Sequence, residues 1–193
     1  MQPYIDFILE LDRLKSVTRK TRPLGLDRQE NSAEHSWQIA LLASSLAHLA
    51  AEPVDVDRVV AMLLVHDIGE IDTGDTLVYA EGHDWAAQQL AERAAVERIF
   101  GLLPPEPAAR YLALWLEFEA AETPEARYAH AADRAMPVLL NLANDGQSWR
   151  EHGVSHARVV ARIAGPIQAG CPALWNYLEA RLAEAQARGL FGA

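Results

Sequence analysis

A long, mostly apolar helix is predicted where the chain reads NSAEHSWQIALLASSLAHLAA, residues 31–51. Asn31 is a residue type that caps helices, and Glu34, three residues later, completes the pattern of a capping box. Apolar side chains then occur around almost the whole circumference of residues 32–51, a pattern typical of a central helix that its neighbours cover. The stretch therefore predicts a helical domain built around this segment, with His35 in the first turn.

The same helical periodicity continues along the rest of the chain, and no run has the alternation of a strand. We therefore predict an all-α fold, a bundle of about seven to eight helices that forms a single domain over residues 1–193. The other helices are predicted at residues 3–16, 55–67, about 84–100, 106–120, 124–144, 154–168 and 173–189.

The balance of charged side chains restricts the kinds of partner. The 193 residues include 17 Lys and Arg against 27 Asp and Glu, a formal net charge of −10. Proteins that bind long nucleic acids or anionic membranes need an extended basic surface, so neither partner is expected. A local basic segment can still serve a small anionic substrate, and residues 13–28 provide one, with Asp27 as their only acid. Its basic residues are Arg13, Lys15, Arg19, Lys20, Arg22 and Arg28.

Cysteine content and hydropathy indicate a cytoplasmic protein. Cys171 is the only cysteine, so an intrachain disulfide cannot form, as is usual in a reducing compartment. Asp6 and Glu10 interrupt the apolar residues at the start of the chain, which is unlike a secretion signal. The most apolar stretch, residues 39–51, is too short to cross a bilayer.

Histidine and aspartate side chains at two helix ends form the main candidate site. His66 and Asp67 close one predicted helix, and both can reach one ion if that ion lies at the helix terminus. An antiparallel arrangement with the preceding helix brings His35 to the same end. Asp133 lies in an alanine-rich helix, where a buried carboxylate needs a partner, and is the candidate fourth ligand. Two imidazoles and two carboxylates suit one divalent ion: Mn, Co, Fe, Ni, Zn or, less well, Mg.

The order of these four residues is similar to the H…HD…D pattern of the HD-domain metal-dependent phosphohydrolases. Three flanking segments resemble the HD-domain 5′-deoxynucleotidases of bacteria and eukaryotes more closely. They are ENSAEHS at 30–36, HDIGE at 66–70 and TGD at 73–75. The resemblance covers about residues 9–133.

This resemblance implies an HD-domain bundle with a metal and catalytic core at about 30–133, completed by C-terminal helices at 134–193. It implies one divalent metal ion on the four residues named above and removal of the 5′-phosphate from deoxynucleoside monophosphates. In the family, the position of Glu70 is the general acid or base, that of Asp75 contacts the sugar, and that of Arg19 contacts the phosphate. Relatives are often homodimers, and a homodimer is expected here.

One departure from the family concerns the substrate side of the site. Bacterial members have a tryptophan that packs on the nucleotide where this chain has Lys20. Two alternatives to a nucleotidase remain open from the sequence. One is another HD phosphohydrolase, acting on cyclic nucleotides or on ppGpp-type substrates. The other is a non-catalytic HD module that binds nucleotides or dimerises.

Overall fold

The computed structural model of the chain describes residues 1–77, 79, 82 and 84–192. Eight of the α-helices in these residues have ten or more residues, which confirms the predicted all-α fold. Strand pairing in the described residues is limited to one isolated antiparallel bridge, between Thr18 and Asn31. The helices are α1 (Gln2–Leu11), α2 (Ser32–Leu46), α3 (Val56–Val65), α4 (Glu70–Thr73), α5 (Trp85–Phe100), α6 (Pro105–Ala120), α7 (Pro124–Ala143), α8 (Gln147–Glu151), α9 (His156–Gly170) and α10 (Pro172–Ala187), with 3-10 turns at Asp12–Ser16 and Ala47–Leu49.

The predicted helix at 32–51 is shorter and less buried than its sequence indicates. The α-helical part ends at Leu46, and a 3-10 turn follows it. Trp37 and Leu41 are 61% and 51% exposed, so one face of α2 is open in the single chain. The capping box at its start is present, because Asn31 accepts a hydrogen bond from the Glu34 backbone N–H and the Glu34 side chain accepts one from the Asn31 backbone N–H.

Helix α7 runs through the centre of the main core and packs against α2, α3, α9 and α10. Its small side chains allow the neighbouring backbones to come close. Gly170 at the end of α9 approaches so closely that an added Cβ would lie 2.2 Å from the Arg127 carbonyl oxygen. The Tyr128 hydroxyl donates a 2.7 Å hydrogen bond to the Ala43 carbonyl of α2. These contacts fix α7, and with it the buried Asp133, against the first half of the bundle.

A second cluster of buried side chains joins α1 to α5, α6 and the end of α3. Phe7 stacks on Tyr111 with ring centroids 5.7 Å apart, Phe100 lies 5.8 Å from the same ring, and Phe7 and Phe100 are 6.4 Å from each other, so the three rings form one triangular cluster. Val65, the last residue of α3, lies in the same cluster. The end of α3, where His66 follows, is therefore anchored by tertiary packing.

Gly69, in the turn between α3 and α4, allows that turn to pack against α5. Its φ is −58°, an ordinary helical value, so Gly69 does not end α3 as the left-handed glycine that often follows a helix. A Cβ at this position would lie 3.1 Å from the Glu92 carbonyl oxygen. Glycine is needed here for the close approach of α5, and the chain turns directly into the short helix α4.

Every helix in the described part of the chain is too short or too polar to span a membrane.

Candidate metal centre and substrate cavity

Two helix ends place the two histidines. The capping box begins α2, and His35 lies in its first turn with its side chain fully buried. His66 follows α3, where its Nδ1 lies 2.9 Å from the Leu63 carbonyl oxygen and its own carbonyl accepts a 3.1 Å hydrogen bond from Trp115 Nε1. These bonds direct Nε2 of His66 toward α2 and α7.

Asp133 completes a compact group with these histidines. Potential ligand atoms of His35, His66 and Asp133 all lie within 4.8 Å of one another. Nε2 of His35 is 3.0 Å from Oδ1 of Asp133, and Nε2 of His66 is 3.8 Å from the same oxygen. Three residues that are far apart in sequence thus meet in the core, as their order in the sequence predicts.

The group fits a divalent metal ion in its donor chemistry. Nε2 of His66 is buried and makes no hydrogen bond of good geometry among the described residues, although Oδ1 of Asp67 lies 3.0 Å away, while Nδ1 is occupied by a carbonyl group. A buried imidazole nitrogen without a partner is costly unless a ligand uses it. Imidazole nitrogens with carboxylate oxygens are common ligands of first-row divalent metals.

Asp67 lies at the edge of this group. Its Oδ1 is 3.0 Å from Nε2 of His66, and its Oδ2 accepts a 2.7 Å hydrogen bond from Arg19. Burial opposes ionisation of this carboxyl, but His66 and Arg19 outweigh it and lower the pKa of Asp67 to about 2. One oxygen therefore faces the metal group, and the other orients Arg19.

The carboxylates create a field that favours positive charge at the centre. Burial would lower the pKa of His66, but Asp67 and Asp133 raise it to about 10. Burial likewise opposes ionisation of Asp133, and Arg134 and the two histidines hold its pKa well below the usual range. Since a ligating imidazole must be neutral, a metal ion bound here has to displace a proton from His66.

Glu70 begins α4, beside this centre. Its side chain is buried, and Oε2 accepts a 2.6 Å hydrogen bond from the Ser32 hydroxyl at the start of α2. Burial, together with the nearby charge of Asp67, raises the pKa of Glu70 well above its ordinary value. A raised pKa makes a carboxyl better suited to donate a proton in a reaction near neutral pH.

Arg19 is the one cation of the basic segment that reaches the acidic cluster. One of its terminal nitrogens lies 2.7 Å from Asp67, 3.8 Å from Glu70 and 3.7 Å from Asp75. These carboxylates keep it charged and raise its pKa despite burial. Burial also raises the pKa of Asp75, although Arg19 opposes that effect.

Most other cations of residues 13–28 point elsewhere. Each is paired with a nearby acid: Arg13 with Glu10, Lys15 with Asp12, Arg22 with Asp27 and Glu151, and Arg28 with Glu34. Lys20 lines the same cavity as Arg19. The local excess of positive charge in the sequence therefore reduces to these two side chains at the site.

A cavity of about 280 Å³ opens beside the centre and extends between α5, α7 and α9. His66, Asp67, Glu70, Asp75 and Asp133 contribute to its wall at one end. His35 lies behind them, fully buried. The cavity is close in size to the smaller ligand pockets of proteins, so it can take a molecule of about mononucleotide size.

Two buried residues that support the site are not evident from the sequence as functional. Ser32 donates a hydrogen bond to Glu70, but in the sequence it is indistinguishable from any serine that begins a helix. Glu30 is 2% exposed, and its Oε2 accepts a 2.9 Å hydrogen bond from Thr21 while lying 3.8 Å from Nδ1 of His35 and 3.9 Å from Arg19. The one sequence signal for a role of Glu30 at the site is its position directly before Asn31, the cap of the helix that carries His35.

Comparison with known proteins places the chain in a family. Residues 11–175 match the HD domain. The chain belongs to the HD-domain family. Its helical bundle is that of an HD domain, and its His and Asp group is one that could hold a metal ion.

The relatives of this HD-domain protein include named enzymes. A 5′-deoxynucleotidase of Pasteurella multocida is 30% identical over 154 residues, which cover 75% of this chain and 78% of that protein. A human 5′-deoxynucleotidase is 26% identical over 136 residues, 70% of this chain and 65% of the human one.

A solved structure is also similar over the whole HD domain. It is the crystal structure of a predicted metal-dependent phosphohydrolase from Magnetospirillum magnetotacticum, 44% identical, with a TM-score of 0.93 over 100% of this chain and 95% of that one. A Pyrococcus horikoshii protein has a TM-score of 0.63 at 22% identity over 95% of this chain and 98% of that one, which supports the fold alone.

Proposed function

We propose that this HD-domain protein removes the 5′-phosphate from deoxynucleoside monophosphates and releases the nucleoside and inorganic phosphate. The observation that carries the proposal is the convergence of Arg19, Glu70 and Asp75 beside the His and Asp group in one cavity. Metal ligands, a proton donor and a phosphate-binding cation are the parts that phosphomonoester hydrolysis needs. Relatives named 5′-deoxynucleotidases support the same substrate class.

In this proposal His35, His66, Asp67 and Asp133 hold one divalent metal ion. When bound, such an ion polarises a phosphate oxygen and lowers the pKa of a coordinated water molecule. Mn, Co, Fe, Ni, Zn and Mg are all compatible with these ligands, and the neutral imidazoles favour the transition metals over Mg. The packing of α7 against α2 and α3 brings the ligands together.

Glu70 is the proposed general acid. As water attacks phosphorus, the bond from phosphorus to the 5′ oxygen breaks, and that oxygen needs a proton to leave as a hydroxyl group. The raised pKa of Glu70, which burial and Asp67 cause, suits this carboxyl to donate that proton. Ser32 holds Oε2, so that Oε1 is the oxygen left to face the cavity.

Arg19 and Asp75 are the proposed contacts to the substrate. Arg19 is held at the cavity by Asp67, and its fork of N–H donors suits phosphate oxygens. Asp75 lies 3.7 Å from Arg19, close enough to face the sugar of a nucleotide whose phosphate Arg19 binds. A carboxylate against C2′ disfavours a ribose by crowding its hydroxyl group.

We also propose that two copies of the chain form a homodimer through α2. Trp37 and Leu41 lie one turn apart on its open face, and both are more than half exposed. Large apolar side chains grouped on one face mark interaction surfaces.

Turnover of a panel of phosphate esters tests the activity. The purified protein, loaded in turn with Mn, Co and Mg, is incubated with deoxy- and ribonucleoside 5′-monophosphates, cyclic nucleotides and ppGpp, and the released products are measured. Metal-dependent release of phosphate from the deoxynucleotides, lost in Glu70→Gln, is expected. Glu97→Gln is a matched control, since Glu97 is an exposed residue of α5 that pairs with Arg93 outside the cavity.

Two other results would redirect the proposal. Preferential cleavage of a cyclic nucleotide or ppGpp would replace the nucleotidase with another phosphohydrolase. Nucleotide binding without turnover under every metal, unchanged in Glu70→Gln, would identify a binding module.

A further inference from the structure

The cavity continues beyond the residues of the proposed reaction. Its far part lies between α7, α9 and the start of α5, and Val138 and Ile163 form apolar surface there. Two cationic side chains line the cavity between the metal group and this part: Arg134 on α7, next to Asp133, and Arg162 on α9, whose side chain is exposed at the surface. Neither belongs to the proposed metal ligands or phosphate contacts.

These two arginines have little local compensation for their charge. Nε of Arg134 is 3.6 Å from Oδ2 of Asp133, a carboxylate that the proposed metal ion also uses. Arg162 makes no ion pair with any carboxylate of the described residues. Arg134 and Arg162 repel each other, and burial together with this repulsion lowers the pKa of Arg162. Two cations that face one cavity are stabilised when an anion binds between them.

The acids that also line the cavity lie toward the metal centre. Glu92 of α5 interacts electrostatically with Asp67, His66 and Asp75. Glu119 of α6 interacts with Glu92 and His66 as well as with Arg134. Burial raises the pKa of both carboxyls. Nearby negative charge raises it further, from Asp67 for Glu92 and from Glu92 for Glu119. Carboxylates therefore dominate the metal side of the cavity, and positive charge begins at Arg134, beside Asp133, and continues to Arg162, which together form its basic end.

Aromatic rings adjoin the basic end. The guanidinium carbon of Arg162 lies 5.9 Å from the centroid of the Trp85 ring, and Trp85 and Tyr79 both line the cavity. Flat rings of this kind can pack on a sugar or a base, while the adjacent guanidinium groups bind an anion.

We infer that the basic end formed by Arg134 and Arg162 binds a second phosphate group of the substrate, so that nucleoside bisphosphates with a 3′-phosphate and a 5′-phosphate are preferred over monophosphates. This inference rests on the proposed function, because it places the 5′-phosphate at Arg19 and the metal centre. The nucleoside lies between the two ends, next to Trp85. The 3′-phosphate remains on the product.

Titration calorimetry on the metal-loaded Glu70→Gln protein tests this inference without turnover. The two probes are 2′-deoxyadenosine 5′-monophosphate and 2′-deoxyadenosine 3′,5′-bisphosphate. We expect the bisphosphate to bind about tenfold more tightly, since its second phosphate gains charge-assisted hydrogen bonds to the two guanidinium groups. Adding Arg162→Gln should remove this advantage and leave monophosphate binding nearly unchanged.

The matched control is Arg181→Gln added to the same protein. Arg181 lies on α10, pairs with Glu184 at 2.9 Å and is outside the cavity, so the net charge changes equally without changing the site. The advantage of the bisphosphate should persist in this control. It should also decrease as salt is added, as ion pairing requires.

Two results would overturn the inference. One is equal affinity for the two probes in the parent Glu70→Gln protein. The other is an equal loss of affinity for both probes in Arg162→Gln, which would indicate contact with the base. The proposed function fails by a different result. In that case the unmodified protein does not hydrolyse the monophosphate, whatever affinities calorimetry gives for the two probes.

Discussion

The Ser32 hydroxyl donates a 2.6 Å hydrogen bond to Oε2 of Glu70, and it joins the first residue of α2 to the first residue of α4. Ser32 is fully buried. The bond stabilises the ionised carboxylate and therefore opposes the effect of burial on the pKa of Glu70. It sets both the orientation and the proton affinity of the proposed general acid.

Replacing Ser32 with Ala should change the pH dependence of the reaction. Without the donated hydrogen bond the pKa of Glu70 rises further, so the alkaline limb of the kcat profile moves to higher pH. We expect kcat to fall about tenfold, because the carboxyl is no longer held in place, while KM changes little. Initial rates of deoxynucleotide hydrolysis between pH 5 and 10 measure both effects. Ser45→Ala is the control, since Ser45 is an exposed residue of the same helix that bonds only to the Leu41 carbonyl. An unshifted profile in Ser32→Ala would argue against this role.

Asp133→Asn should abolish metal binding and leave the fold intact. The amide has nearly the same shape as the carboxylate, but it lacks the charge that attracts the ion. In the parent protein a metal present at 100 times its Kd should raise the free energy of unfolding by about 2.7 kcal/mol, and in Asp133→Asn this increase should be absent. Thermal unfolding with and without Mn or Co measures it. Asp145→Asn serves as control, because Asp145 is exposed and asparagine tolerates its φ of 52°. Stabilisation by metal in Asp133→Asn equal to that of the parent would exclude Asp133 as a ligand.

Asp75→Ala should weaken the discrimination between deoxyribose and ribose. If the carboxylate crowds the 2′-hydroxyl group, its removal should raise kcat/KM for ribonucleotides more than for deoxynucleotides. The ratio of the two kcat/KM values is the measured quantity. Asp72→Ala is the control, because Asp72 lies on α4 nearby but pairs with Arg98 outside the cavity. An unchanged ratio would remove Asp75 from sugar selection.

Gly170→Ala should destabilise the bundle. The new Cβ would lie 2.2 Å from the Arg127 carbonyl oxygen and 2.8 Å from Cβ of Ala131, so α9 and α7 would have to separate. Overpacking of this kind costs about 1–3 kcal/mol. Urea unfolding should give a lower midpoint at an unchanged slope. Ala169→Ser, which adds one heavy atom on the exposed side of the same turn, should leave the midpoint nearly unchanged. A stable Gly170→Ala protein would contradict the close approach of the two helices.

Leu41→Lys should prevent the proposed dimer. A charged group in the centre of an apolar contact loses its hydration without gaining a partner. Sedimentation velocity should give a dimer for the parent and a monomer for Leu41→Lys. The control is Leu90→Lys on α5, which makes the same change at a side chain that is 71% exposed. A monomeric parent, or a Leu41→Lys dimer, would dismiss α2 as the interface.

The sequence predicted the helices well, and the site only in its main members. Local patterns are sufficient for the capping box of α2 and for the bounds of α6 and α7, because caps and periodicity act within a few residues. The short helix α4 lies outside the predicted helices, since its four residues show no periodicity of their own. The role of Gly69 is not readable from the sequence for a related reason, because a glycine can serve an unusual φ or a close contact and the two look alike in sequence.

What the sequence determined by itself is the all-α class, the order of the His and Asp residues, and the excess of cations in residues 13–28. Which of those cations reach the cavity was decided only by the tertiary structure, because pairing with Glu10, Asp12 and Glu34 occupies others and burial among carboxylates holds Arg19. The same holds for the link from Ser32 to Glu70 and for the basic far end of the cavity. Those contacts join residues that are distant along the chain and meet only when the helices pack. No local sequence pattern encodes which of these residues come together.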